Sequence, residues 1–387
     1  MSQNEFILPY GRQSIDQDDI DAVSKVLRSD FLTTGPAVQK FEASLAKICG
    51  AKYAISVSSG TAALHIAYAA AGLGPGDEII TSPLTFAATA NAALMLGARV
   101  RFCDIDPNTL NIDAKEVVKK INEKTKLIAP VDFAGLPAFT DELGEIATEN
   151  NIAIVEDAAH SIGARYQGRP VGSLADMTTF SFHPVKTITT GEGGAVTTNS
   201  PELYEKLCHL RNHYMLRNPK DLREENPPPW HYEIPELGYN YRLTDIQAAL
   251  GISQLGKLER FLEQRRKIAA HYLEELGKDS RLIMPPYQNI DEHGWHLFVL
   301  RLKDPAFRRP LIEELHSKGI LAQVHYIPVN AQPLYTSMGY SPGDTPIARE
   351  TSAQSLSIPC YPALEPQQIT FVTETIFQCL DAIGYKN

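Results

Sequence analysis

The sequence predicts an α/β fold with a mostly parallel central sheet sandwiched by helices, followed by a smaller α+β C-terminal domain. Three observations predict it. Short apolar runs alternate with amphipathic stretches from residue 53 to 155. One long helical pattern then runs from 244 to 276. After it, strand and helix patterns mix without strict alternation.

Asp16 precedes a helical pattern with Ile20, Val23 and Leu27 on one face, and its carboxylate suits the N-cap position. A second amphipathic helix carries Val38, Phe41, Leu45 and Ile48. Residues 53–57, 78–81, 99–103, 127–131 and 153–155 read as strands, with helices near 61–71, 86–95, 113–122 and 140–149 between them. Further strands are expected near 176–182 and 194–198. Residues 217–236 interrupt the pattern with charges and the run Pro227-Pro228-Pro229. A connection of that length is a functional lid or a disordered linker, and the residues do not choose between them. From Thr244 onward, Ile246, Leu250, Ile252, Leu255, Leu258 and Leu262 share roughly one side of a helix, weakened by Gly251 and Gly256. In the last part, 296–302 and 321–325 read as strands, and 306–318 and 367–381 as helices. The expected division is an N-terminal segment with the large domain over 1–243, a connecting helix over 244–276, and a small domain over 277–387.

Composition excludes several classes. The formal net charge is −10, which is the wrong sign for general binding to nucleic acid. The five cysteines are odd in number and include no C-x-x-C pair, which argues against a disulfide framework or a structural zinc site. Reduced thiols in a cytoplasmic protein are the expectation. The first residues lack a basic segment followed by an apolar one, so no signal peptide is expected. The most apolar window, 60–74, is too short to span a bilayer and contains His65 and Tyr68. No metal site is expected.

Three short motifs carry chemistry. Asp157 ends an apolar strand in Val155-Glu156-Asp157-Ala158-Ala159-His160. The carboxyl ends of strands face the ligand crevice in open α/β sheets, and a carboxylate there holds a cationic ring nitrogen or simply caps a helix. Lys186 follows Ser181-Phe182-His183-Pro184-Val185 and precedes Gly191-Glu192-Gly193-Gly194. A lysine in apolar, glycine-rich surroundings has a depressed pKa and becomes an amine nucleophile for carbonyls, unless it is a surface lysine in a hairpin. Ser58-Ser59-Gly60-Thr61 follows a strand and opens a helix, where free N–H groups bind anions or are merely serine-capped.

In this order, joined by Thr85-Phe86, the motifs resemble those of the fold-type I pyridoxal-phosphate enzymes. More narrowly, the chain is similar to the DegT/DnrJ/EryC1/StrS sugar aminotransferases from Tyr10 to about Asp381. Leu32-Thr33-Thr34-Gly35 and Gly238-Tyr239-Asn240-Tyr241-Arg242 extend the likeness. The resemblance implies pyridoxal 5′-phosphate as cofactor, with Lys186 as its Schiff-base lysine and proton shuttle. Asp157 would hold the pyridine nitrogen, Phe86 and Ala159 the two ring faces, and His160 the region of the ring hydroxyl. Gly60, Thr61 and Ser181 would bind the phosphate. Asn240 would reach the same phosphate from a neighbouring subunit, which implies a homodimer with shared active sites. Two bland readings remain: Phe86 as plain core, and His183 as a packed structural residue.

A lysine at position 186 favours amine transfer over the dehydration performed by relatives with histidine there. The likeness points to the branch that aminates C4 of a UDP-linked 4-keto-6-deoxy-N-acetylhexosamine for pseudaminic acid, with L-glutamate as donor. Tyr10, Asp30, Phe31, Leu32, Thr33, His183, His325, Tyr326, Ile327 and Pro328 would line the nucleotide-sugar site. The alternatives are another nucleotide-linked 4-keto or 3-keto sugar, a lyase or desulfurase, and a catalytically silent regulator with the same fold.

Overall fold

The computed structural model describes residues 6–386. Seven strands form the central sheet. Their spatial order is Tyr53–Val57, Gly194–Thr198, Met177–Ser181, Ala153–Asp157, Thr125–Ala129, Glu78–Thr81 and Arg99–Phe102. Gly194–Thr198 runs antiparallel to both its neighbours, while the pairs from Met177–Ser181 to Arg99–Phe102 are parallel. Helices lie between successive strands from Tyr53–Val57 to Ala153–Asp157, and a small hairpin of Arg165–Tyr166 and Arg169–Pro170 makes the next crossover, so the parallel carboxyl ends gather along one edge.

Strand geometry explains why both faces are covered. Successive side chains point to opposite faces. Ile79, Leu127 and Val155 enter one apolar cluster with Leu64, Ile66 and Tyr68 of the helix Gly60–Ala70. Their neighbours Ile80, Ile128 and Ile154 enter another, with Leu143 and Ala147 of the helix Asp141–Glu149. Each such side chain contributes about 1.5–3 kcal/mol when fully buried.

A second core forms around the helix Leu258–Leu276. Its Ile268, Tyr272 and Leu276 pack with Phe298 and Leu300, and with Val372, Ile376 and Leu380 of the helix Pro366–Ala382. The strand Leu8–Pro9 pairs in parallel with Ile320–Leu321, and Leu8 is buried in this second core. The N-terminal segment therefore joins the C-terminal part of the chain here, and not the large domain alone.

Two other expectations are corrected, and one open choice is narrowed. The pattern over 244–276 is two helices, Asp245–Leu255 and Leu258–Leu276. The first ends at Gly256, and Lys257 ties the junction to the N-terminal helix through ion pairs with Asp16 and Asp19. The strand expected at 321–325 shrinks to Ile320–Leu321, because the Ala322 N–H turns back to the Ile320 carbonyl. Residues 217–236 are an anchored loop rather than a disordered linker. Leu216 pairs with Glu233, whose carboxylate accepts the Arg223 and Glu224 N–H groups at 3.0 Å. No helix among the described residues is long and apolar enough to cross a membrane. Among them, no group of three or more His, Cys, Asp or Glu could hold a metal ion.

Candidate active site

The carboxyl edge of the sheet opens into a cavity of about 410 Å³. Asp157 ends its strand there and is 6% exposed. Thr89 Oγ1 donates to Asp157 Oδ2 at 2.7 Å, and the Ala159 N–H donates to Oδ1 at 3.2 Å. Burial raises the carboxyl pKa, while these donors and the charge of Lys186 oppose the rise. Lys186 follows the turn after Ser181 and is half-buried. Burial lowers its pKa to about 8, against the pull of Asp157. A useful fraction is therefore free amine near neutral pH, as a carbonyl nucleophile requires.

The helix Gly60–Ala70 aims its N-terminus into the same cavity. Ser59 caps it by accepting the Ala62 N–H at 3.1 Å, which leaves the first N–H groups free. A Cβ at Gly60 would lie 2.8 Å from Ser181 Cβ and 3.1 Å from its hydroxyl. Only glycine leaves that gap open. The ladder holds the two sides together, since Gly194 pairs with both Val57 and Ser181. Helix N–H groups with the Thr61 and Ser181 hydroxyls make a donor set that fits a phosphate group.

The far wall is aromatic. Tyr326 hydroxyl and His160 Nε2 are 3.1 Å apart, and His325 Nδ1 is 2.9 Å from Ser357 Oγ. Tyr10 meets His325 edge to face, with centroids 4.7 Å apart. Burial, reinforced by Lys186, pushes His325 down to about 4 and His160 well below the usual histidine range. Both rings are neutral at working pH. Phe86 is 63% exposed and faces the cavity, so the plain-core reading fails. His183 is exposed on the lining, so the packed-residue reading fails as well.

Of the residues singled out in the sequence, Tyr10, Gly60, Thr61, Phe86, Asp157, Ala159, His160, Ser181, His183, Lys186, His325 and Tyr326 all line this cavity. Asn240 and Asp30, Phe31, Leu32 and Thr33 do not; all are exposed elsewhere. The turn at 32–37 is held by buried Asp245, which accepts the Gly35 and Ala37 N–H groups. Ile327 is exposed and Pro328 buried, and neither reaches the lining. Sequence reasoning missed Thr89 and Glu192. The helical spacing from Thr85 to Thr89 was a readable signal for the first.

A family model described as the DegT/DnrJ/EryC1/StrS aminotransferase family matches residues 13–377. The chain belongs to this family. A UDP-4-amino-4,6-dideoxy-N-acetyl-beta-L-altrosamine transaminase from Campylobacter jejuni is 40% identical over 389 residues, covering 98% of this chain and 100% of that one. Among solved structures, an aminotransferase of Helicobacter pylori involved in the biosynthesis of pseudoaminic acid has a TM-score of 0.90 at 31% identity, covering 97% and 99%. A putative sugar aminotransferase of Streptococcus pneumoniae in its pyridoxal-phosphate form has a TM-score of 0.91 at 29% identity, covering 98% and 100%. This aminotransferase uses the same cofactor. Its residues fit the group at three points: the donor set of the Gly60–Ala70 N-terminus with Thr61 and Ser181 facing the cavity, a buried carboxylate at Asp157, and a partly neutral amine at Lys186.

Proposed function

We propose that this aminotransferase moves an amino group from L-glutamate to the C4 keto carbon of a UDP-linked 4-keto-6-deoxy-N-acetylhexosamine, a precursor of pseudaminic acid. One observation carries the amino-transfer half: Lys186, Asp157 and the Gly60–Ser181 gap open into one cavity. The sugar half is supported by the names and coverage of the Campylobacter and Helicobacter relatives.

Each residue has a role on this reading. The Gly60 and Thr61 N–H groups and the Ser181 hydroxyl grip the phosphate. Asp157, steadied by Thr89, would hold the ring nitrogen. Phe86 and Ala159, both on the cavity lining, would cover the ring faces. Bound there, the cofactor supplies an electron sink for breaking the donor's α C–H bond. Lys186 Nζ would move that proton from the donor's α-carbon onto the cofactor, and in the second half would carry a proton the other way, from the cofactor to C4 of the sugar. Tyr10, His183, His325 and Tyr326 bound the space for the sugar.

Partner and place follow the same reading. Asn240 completes the phosphate site of a second copy in a homodimer with shared active sites. Trp230 and Leu237, in or beside the 217–236 loop, are 76% and 75% exposed, and apolar surface of that kind is suited to a partner. The large and small domains divide within the helix Leu258–Leu276, between Leu262 and Ile268, with Leu8–Pro9 attached to the small one. All five cysteines are free and four are buried, which suits the cytoplasm.

Absorbance of the purified protein tests the proposal. A band near ~420 nm should fall toward ~330 nm with L-glutamate and return with the UDP-linked 4-keto sugar. Mass spectrometry should then show the 4-amino sugar. No band with added pyridoxal phosphate would sink the whole reading. A band that returns only with a 3-keto sugar would sink the C4 assignment alone.

A further inference from the structure

Three rings meet at the back of the cavity, with His160 and Tyr326 on its lining and His296 behind them. His160 Nε2 is 3.1 Å from the Tyr326 hydroxyl, and the same imidazole lies against His296, with centroids 4.4 Å apart and planes tilted by 40°. His160 is 5% exposed and His296 3%. The Nδ1 atoms of both rings are buried and meet no protein partner. His296 reaches this position through a tightly fitted segment from the second core. The Gly294 N–H donates to the Gly135 carbonyl at 2.8 Å. A Cβ on Gly135 would come within 3.0 Å of the His160 carbonyl, and one on Gly294 within 3.2 Å. Trp295 holds a φ of 43°, an unfavourable backbone for a side chain of its size. The His293 ring accepts its N–H at 2.8 Å, and Arg265 Nη1 donates to the Trp295 and His296 carbonyls at 3.1 Å each.

We propose that His296 is a positioning residue that fixes the tautomer of His160, and through it the direction of the Tyr326 hydroxyl proton. A neutral imidazole carries one proton. On Nδ1 it would be a buried donor without an acceptor, the rarer kind of orphan in proteins. On Nε2 it is donated to the Tyr326 oxygen. Tyr326 then keeps its own proton for an acceptor in the cavity, such as a substrate or cofactor oxygen. His296 shields Nδ1, since water reaching that atom would accept its proton and reverse the preference. The catalytic value of this arrangement rests on the amino-transfer reading above, but the tautomer does not.

The test is long-range ¹H–¹⁵N correlation on histidine-labelled apoprotein. Wild-type protein should show His160 protonated on Nε2. His296→Ala should move part of the population to Nδ1, and His296→Phe, which keeps a shielding ring, should not. In the loaded enzyme, His296→Ala should lower kcat roughly tenfold, the factor that follows from losing one well-placed hydrogen bond. Its KM for glutamate should hold, and Tyr326→Phe should add nothing to the loss. An Nδ1-protonated wild type overturns the proposal, as does an unchanged tautomer in His296→Ala. Should that variant fail to fold, wild-type protein and His296→Phe still decide. An Nε2 tautomer in a protein without amino-transfer activity would leave the proposal standing and sink the functional reading.

Discussion

Thr89 Oγ1 lies 2.7 Å from Asp157 Oδ2, and Thr85 Oγ1 lies 2.8 Å behind Thr89. Each hydroxyl has one proton to give, so Thr85 donates to Thr89 and Thr89 to the carboxylate. Thr89→Val keeps the shape and removes the donor to a buried charge. The expected cost is about 1–3 kcal/mol of stability, read from the denaturation midpoint of the apoprotein. Asp157 should also become harder to ionise, and titration of the variant with pyridoxal phosphate should show weaker binding.

Lys186 sets a pH dependence. With its pKa lowered to about 8, the free amine in the apoprotein should rise through that pH. Uptake of pyridoxal phosphate, followed by absorbance, should speed up with a half-point near pH 8. The same group shapes stability. The folded state gives up this proton near pH 8, and the unfolded chain does so near 10.5. The unfolded state thus binds more protons between those values, so this lysine's contribution to stability rises with pH across the window. Below it, the cost of burying the charge is fully present. Lys186→Met should remove the rise.

Gly60→Ala probes the phosphate grip. The new methyl would lie 2.8 Å from Ser181 Cβ, a contact that forces one wall to move. Overpacking of this kind costs about 1–3 kcal/mol. Equilibrium dialysis should show at least a tenfold weaker affinity for pyridoxal phosphate. Unchanged affinity would place the phosphate elsewhere in the cavity.

Shared sites predict complementation. Lys186→Ala and Asn240→Ala should each be inactive or severely impaired alone. After unfolding and refolding together, half the dimers should be mixed, each with one intact site. The mixture should regain about a quarter of wild-type activity. If activity after mixing does not exceed the average of the two variants, Asn240 acts within its own subunit or not at all.

The sheet and the cofactor set were legible because they are local in sequence. Asp157, Ser181 and Lys186 each close a strand or follow one within five residues, and the apolar alternation around them is strong. The break at Gly256 was half-legible, since the glycine was visible but the pull of Asp16 and Asp19 on Lys257 was not. Thr89 and His296 gain their meaning only from packing, one against Asp157 and the other against His160. Leu8–Pro9 shows the same limit, because its partner Ile320–Leu321 lies some three hundred residues away.

The antiparallel strand Gly194–Thr198 separates grip from reach. Its first residue is the rung shared by Val57 and Ser181, so the anion cradle is locked by sheet register. Lys186 hangs from the connection between Ser181 and Gly194, outside that lock. Adding one residue between Thr187 and Gly193 would lengthen the tether of the amine and leave the anchor where it is. The fold thus offers separate handles on how tightly the cofactor is held and how well it is attacked.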